Sequence, residues 1–125
     1  MVCMFCYCQS LEKLDLSNFD TSNVTDMEDM FWDCRTLKEL DLSNFDTSNV
    51  TNMLEMFGAC TNLNKLSIPF DTSKVTDMSW MFRSCSSLKE LDLMTFSDIN
   101  VISKEGMFND TDCKVIFDIS KFKLF

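Results

Sequence analysis

The chain has 125 residues, a formal net charge of -9 and no histidine. That length implies one domain over residues 1–125, and 46% hydrophobic residues with only 2 Gly and 1 Pro argue for a continuous core rather than a disordered chain. The charge disfavours nucleic acid and anionic membrane surfaces as partners, and the missing histidine removes the commonest general base and metal ligand.

The N-terminal run Met1-Val2-Cys3-Met4-Phe5-Cys6-Tyr7-Cys8 is apolar but has no basic segment or small-residue cleavage site. It reads as repeat. Met4-Phe5, Met30-Phe31, Met56-Phe57, Met81-Phe82 and Met107-Phe108 recur every 25 or 26 residues, and Met1 falls in the column of Met27, Met53 and Met78. Self-similarity at this period marks units that bury their apolar faces by stacking on neighbours. About 4.5 repeats are expected, with units beginning near 4, 30, 56, 81 and 107, and with the chain starting inside a unit. No run of 18 apolar residues exists, so no membrane insertion is expected.

Along each unit two periodicities alternate. Met27, Met30, Phe31 and Cys34 stand at i, i+3, i+4 and i+7, which predicts a short helix with Thr25 and Glu28 as its capping box. The same spacing predicts helices over 53–60 and 78–85, capped by Thr51 and Thr76. Leu40-Asp41-Leu42 alternates apolar and polar, the mark of a half-buried strand. Equivalent strands are expected near Leu14, Leu40, Leu66, Leu91 and Phe117, stacked in parallel about 4.8 Å apart into a rod of roughly 20 Å. The corner Asp-Thr-Ser-Asn/Lys-Val joins strand to helix, with local hydrogen bonding closing it. Pro69 shortens the third unit and is expected at its strand exit. In the fourth, Lys104 stands where the other units have Met, and Leu124-Phe125 close the sequence without a polar cap.

The fold class expected from these elements is an α/β repeat solenoid with a parallel β-sheet on the concave face and short helices on the convex face. Leu37-x-x-Leu40-x-Leu42-x-x-Phe45 resembles a leucine-rich repeat. The longer run Leu-Asp-Leu-Ser-Asn-Phe-Asp-Thr-Ser-Asn-Val-Thr-Asp-Met, followed by Met-Phe and Cys, is similar to the BspA-type leucine-rich repeat of bacterial and protist surface proteins. A related mycoplasma-type domain of unknown function shares it. The resemblance implies a right-handed leucine-rich-repeat coil. It also implies a role in adhesion or protein binding at the cell surface, or in secreted form, as part of a longer parent protein. A cytoplasmic location is the alternative. The family carries no catalytic residue to transfer.

Seven cysteines invite a disulfide or metal reading. Cys8, Cys34, Cys60 and Cys85 share one apolar column, so they read as small, buried, reduced thiols. Cys3, Cys6 and Cys113 lie outside it and are expected to be the reactive ones. Cys3-x-x-Cys6-x-Cys8 lacks a fourth ligand for tetrahedral zinc, so no metal or other cofactor is assigned. The column Thr21, Thr47 and Thr72 does not read as an ice-binding array, having one Thr per unit beside an Asp.

The outward strand positions are the candidate protein-binding face: Lys13, Glu39, Lys65 and Glu90 in one column, ending at Ile116, and Asp15, Asp41, Asp92 and Asp118 in the next, interrupted by Ser67. Alternating signs stabilise a ladder, whereas like charges side by side call for a compensating cation. The sequence therefore reads as a non-enzymatic module binding a basic protein partner through this face. The alternative is a structural spacer or end-to-end assembly element.

Overall fold

The computed structural model describes residues 1–124. Four short strands form, β1 (Glu39–Asp41), β2 (Lys65–Ser67), β3 (Glu90–Leu93) and β4 (Lys114–Phe117). They make two separate two-stranded parallel sheets, β1 with β2 and β3 with β4. On the opposite side, single parallel bridges link Asp26, Asn52, Asp77 and Ser103 in turn. Equivalent residues of successive units therefore lie beside one another.

No described residue is helical. The expected helices over 27–34, 53–60 and 78–85 are runs of turns, and the α/β leucine-rich-repeat solenoid is corrected accordingly. The hydrogen bonds supply the reason. Met27, Asp29, Phe31 and Asp33 donate their N–H groups to the carbonyls of Asn52, Leu54, Met56 and Gly58 in the next coil, at 3.0, 3.0, 2.9 and 2.8 Å. The intervening Met30, Trp32 and Cys34 bond back three residues, to Met27, Asp29 and Phe31, at 3.3, 3.0 and 3.3 Å. A helix would aim all these N–H groups along its own axis, those beyond the first turn to carbonyls four residues back, and turn none sideways to the neighbouring coil.

This backbone needs a left-handed residue every fourth position. Asp29 and Asp33 have φ of 56° and 61°, Glu55 and Ala59 51° and 60°, and Trp80 and Ser84 59° and 56°. Each such residue costs about 1–2 kcal/mol for an L-amino acid, set against the four coil-to-coil bonds of the segment, two of which Asp29 and Asp33 donate themselves. A four-residue backbone period also brings i, i+3, i+4 and i+7 to one side. Met27, Met30, Phe31 and Cys34 are all fully buried, as expected for a helix face, but through a different backbone. At the fourth unit's left-handed position stands Gly106, where an added Cβ would lie 2.3 Å from the Trp80 ring.

Two strand expectations are also corrected. No strand forms around Leu14. β4 pairs in the register Glu90 with Lys114 and Asp92 with Ile116, two residues earlier than the Phe117-centred strand expected. The physical cause is a shorter connection. The Thr111 hydroxyl donates to the Phe82 carbonyl, the same place that Cys85 fills on the Phe57 carbonyl, and only two residues separate it from Lys114. Asp118 then falls beyond the end of β4.

The core is built from columns. Phe5, Phe31, Phe57, Phe82 and Phe108 stack ring on ring at 5.4–5.6 Å, with interplanar angles of 2–15°. Lys104, in the Met27 column, turns its ammonium to the Asp98 carboxylate at 2.8 Å and lies 4.8 Å over the Phe122 ring. It also donates to the Lys123 carbonyl. Of the apolar end expected at Leu124-Phe125, Phe125 lies outside the described residues.

Candidate functional site

The strand face places the candidate residues by simple alternation. In β1, Leu40 is buried while Glu39 and Asp41 point outward. β2 turns Lys65 and Ser67 outward around a half-buried Leu66, and β3 turns Glu90 and Asp92 outward around a buried Leu91. Lys13 and Asp15 lie beside them on a segment that forms no strand. Together these residues line one shallow open groove of about 780 Å³, floored by Leu14, Leu40 and Leu66. Lys13, Asp15, Glu39, Asp41, Lys65, Glu90 and Asp92 are thus brought together, and Asp118 is not.

Within the groove the charges are partly paired. Glu39 is opposite Lys65 in the register, with Nζ 3.4 Å from Oε1. Both side chains are well exposed, so the pair contributes little stability. The Asp column is held differently. Asp15, Asp41 and Asp92 each accept the N–H two residues on, from Ser17, Ser43 and Met94, at 2.9 Å. These are Asx turns. The Ser17 and Ser43 hydroxyls and amides hold the Asp15 and Asp41 carboxyls below their usual range.

Asn44 was not singled out by the sequence reading, yet it lies in the groove and ties two coils, its Nδ2 donating to the Leu16 and Ser17 carbonyls at 3.0 and 3.2 Å. Asn64 also lines the groove. Their positions beside the outward columns are the signal that could have found them.

The cysteines divide only in part as expected, the differences lying at Cys3, Cys6 and the half-buried Cys8. Cys3 and Cys6 are joined in a disulfide, with Cα atoms 4.8 Å apart, so they are not the free reactive thiols that the sequence reading expected. Cys34, Cys60 and Cys85 are buried and free, while Cys8 and Cys113 are half-buried. Desolvation pushes the Cys34 thiol up to about 11 and the Cys85 thiol up to about 12. Among the described residues no group of three or more His, Cys, Asp or Glu is drawn together as a metal site.

The Thr column also differs from the local role expected of it. Thr21 and Thr47 donate to the Asp46 and Asp71 carbonyls of the following coil, at 3.1 and 2.9 Å, and Thr72 to that of Ser97 at 2.7 Å. The corner itself is closed by Asp20 and Asp46, which accept from the N–H of Ser22 and Ser48 at 3.0 Å.

The family model described as "Mycoplasma protein of unknown function, DUF285" matches residues 1–122. No curated protein and no solved structure matches the chain. The match falls on the mycoplasma-type domain and carries nothing specific to BspA-type repeats.

Proposed function

Starting from the fact that this chain belongs to the DUF285 family of Mycoplasma proteins of unknown function, we propose that it is a non-enzymatic repeat module that binds a basic protein segment along its strand-face groove. One observation carries this reading. Five carboxylates, from Asp15, Glu39, Asp41, Glu90 and Asp92, share one apolar-floored groove with only the two ammonium groups of Lys13 and Lys65. Such a groove attracts cationic side chains, and leucine side chains between the charges can cover their aliphatic stems. Asx turns hold the carboxylates of Asp15, Asp41 and Asp92 in place, so little ordering is lost at those three on binding. In this reading the module works in adhesion at the cell surface or in secreted form, within a longer parent protein. The resemblance to BspA-type surface repeats supports that placement.

A lysine-rich peptide titrated into the chain by calorimetry tests the reading. Affinity is expected to fall as salt rises, and to fall further in the Asp41→Asn/Asp92→Asn variant with little change in thermal stability, because Asn keeps an acceptor for the Ser43 and Met94 N–H groups. Asp20→Asn/Asp46→Asn makes the same charge change outside the groove and should leave binding nearly intact. Equal weakening by both pairs would reduce the effect to net charge. A groove variant that lost stability but kept full affinity would make the Asp column structural.

A further inference from the structure

Charge on the strand face alternates from coil to coil. β1 presents two carboxylates, Glu39 and Asp41, β2 presents Lys65 and Ser67, and β3 presents two carboxylates again, Glu90 and Asp92. Equivalent residues of adjacent coils are about 4.8 Å apart, so the two doubly acidic coils stand about 10 Å apart with a cation between them. Within each of these coils the carboxylates are separated by one residue, about 6.7 Å along the strand, and so flank the leucine row. In that row Leu14 and Leu66 are only half-buried, which leaves apolar surface facing the groove. Strand N–H and C=O groups lie in the plane of the sheet and point along the stack. A segment crossing the face therefore receives no main-chain hydrogen bonds from it.

Resting on the groove reading, we infer that the partner is an amphipathic α-helix lying across the strands, its basic residues repeating every seven positions. A helix satisfies its own backbone, which this face cannot do for it. Seven helical residues rise about 10.5 Å, close to the two-coil interval. Basic residues at heptad positions e and g then meet Glu39 and Glu90 on one flank and Asp41 and Asp92 on the other. Apolar residues at a and d cover Leu14, Leu40 and Leu66. Successive cations on one flank skip the coil between, which spares Lys65 a like-charge contact. Lys65 stays with Glu39, 3.4 Å away, and that exposed pair is weak enough to share the carboxylate with a second cation. An extended polybasic chain repeats each side about every 6.7 Å, out of step with the acidic coils. A polyproline segment repeats about every 9.3 Å, but with one residue on the floor the other two of each turn point away from both flanks.

Calorimetry with three synthetic peptides of equal length and net charge tests the inference. The first carries Leu at a and d and Lys at e and g. The second shuffles the same residues so that no helical face forms, and the third sets Lys at every third position of a polyproline chain. The heptad peptide is expected to bind about tenfold or more tightly than either of the others and to gain helical circular dichroism as it binds. Asp92→Ser/Ser67→Asp keeps the net charge and moves one carboxylate by a single coil. It should weaken the heptad peptide and leave the shuffled one unchanged. Equal affinity for all three peptides, tightest binding of the polyproline one, or binding of the heptad peptide without helix formation would overturn the helix while leaving the groove reading intact. Equal loss of both peptides in Asp92→Ser/Ser67→Asp would overturn the seven-residue register. If none of the three bound, the groove reading would fall and the helix with it.

Discussion

The thiol of Cys60 donates to the carbonyl of Phe31, 29 residues earlier, at 3.1 Å. Cys34 and Cys85 make the same bond to Phe5 and Phe57, at 3.0 and 3.1 Å. The column therefore combines small apolar volume with a weak donor aimed at the preceding coil.

Thiol reactivity follows from this placement. At pH 8, Cys8 and Cys113 are expected to react first with an aromatic disulfide reagent, and Cys34, Cys60 and Cys85 only after denaturant is added. Burial raises the thiols of all three, and the thiolate is the reacting species. Rapid native labelling at Cys60, read by peptide mass spectrometry, would contradict the burial argument.

The phenylalanine stack should carry much of the stability at its centre. Phe57 is fully buried between Phe31 and Phe82, both ring separations being 5.6 Å. Phe57→Ala is expected to cost about 3–5 kcal/mol, measured by urea unfolding. Phe5→Ala, at a half-buried end of the stack, should cost clearly less.

The threonine column offers a sharp comparison of two similar residues. Thr47 is buried, donates to the Asp71 carbonyl and lies one coil on from the Thr21 hydroxyl, which accepts the Asp46 N–H at 2.9 Å. Thr47→Val removes one such link and should cost about 1–3 kcal/mol. Thr51 is exposed and bonds the Thr25 carbonyl at 3.2 Å, so Thr51→Val should stay within about 0.5 kcal/mol. Equal effects would show that burial does not decide the matter.

Acid should loosen the corners. Asp15, Asp20, Asp41, Asp46, Asp71 and Asp118 are all lowered from 3.8 by Ser hydroxyl and amide hydrogen bonds. A depressed folded value means that the stabilisation is fully present above the ordinary value. It is lost as pH falls through the lower folded values. Asp29, raised by desolvation, acts in the opposite direction near and above 3.8. Asp98 is lowered too, chiefly by its hydrogen bond from Lys104. With seven lowered groups against one, the midpoint of thermal unfolding is expected to fall steadily below pH 4, and Asp46→Asn should flatten that fall slightly.

The sequence alone determined which residues face inward and which outward. Methionine, phenylalanine and cysteine columns are legible because most units repeat them, Lys104 and Thr111 being the exceptions in the fourth, and burial on stacking favours the same residue type at the same place. The groove was equally legible at Glu39, Asp41, Lys65, Glu90 and Asp92, since strand alternation puts them on one side. The backbone between the columns was not. Over eight residues, a helical period of 3.6 and a turn period of 4 place Met27, Met30, Phe31 and Cys34 on the same face. Only the neighbouring coil decides between them, by accepting the N–H of every second residue. Likewise the 26-residue offset carried Asp118 into the Asp92 column, whereas tertiary pairing put Ile116 there. The hydroxyl of Thr111 had already taken the cysteine's place on the Phe82 carbonyl, leaving a connection short enough for Lys114 to meet Glu90.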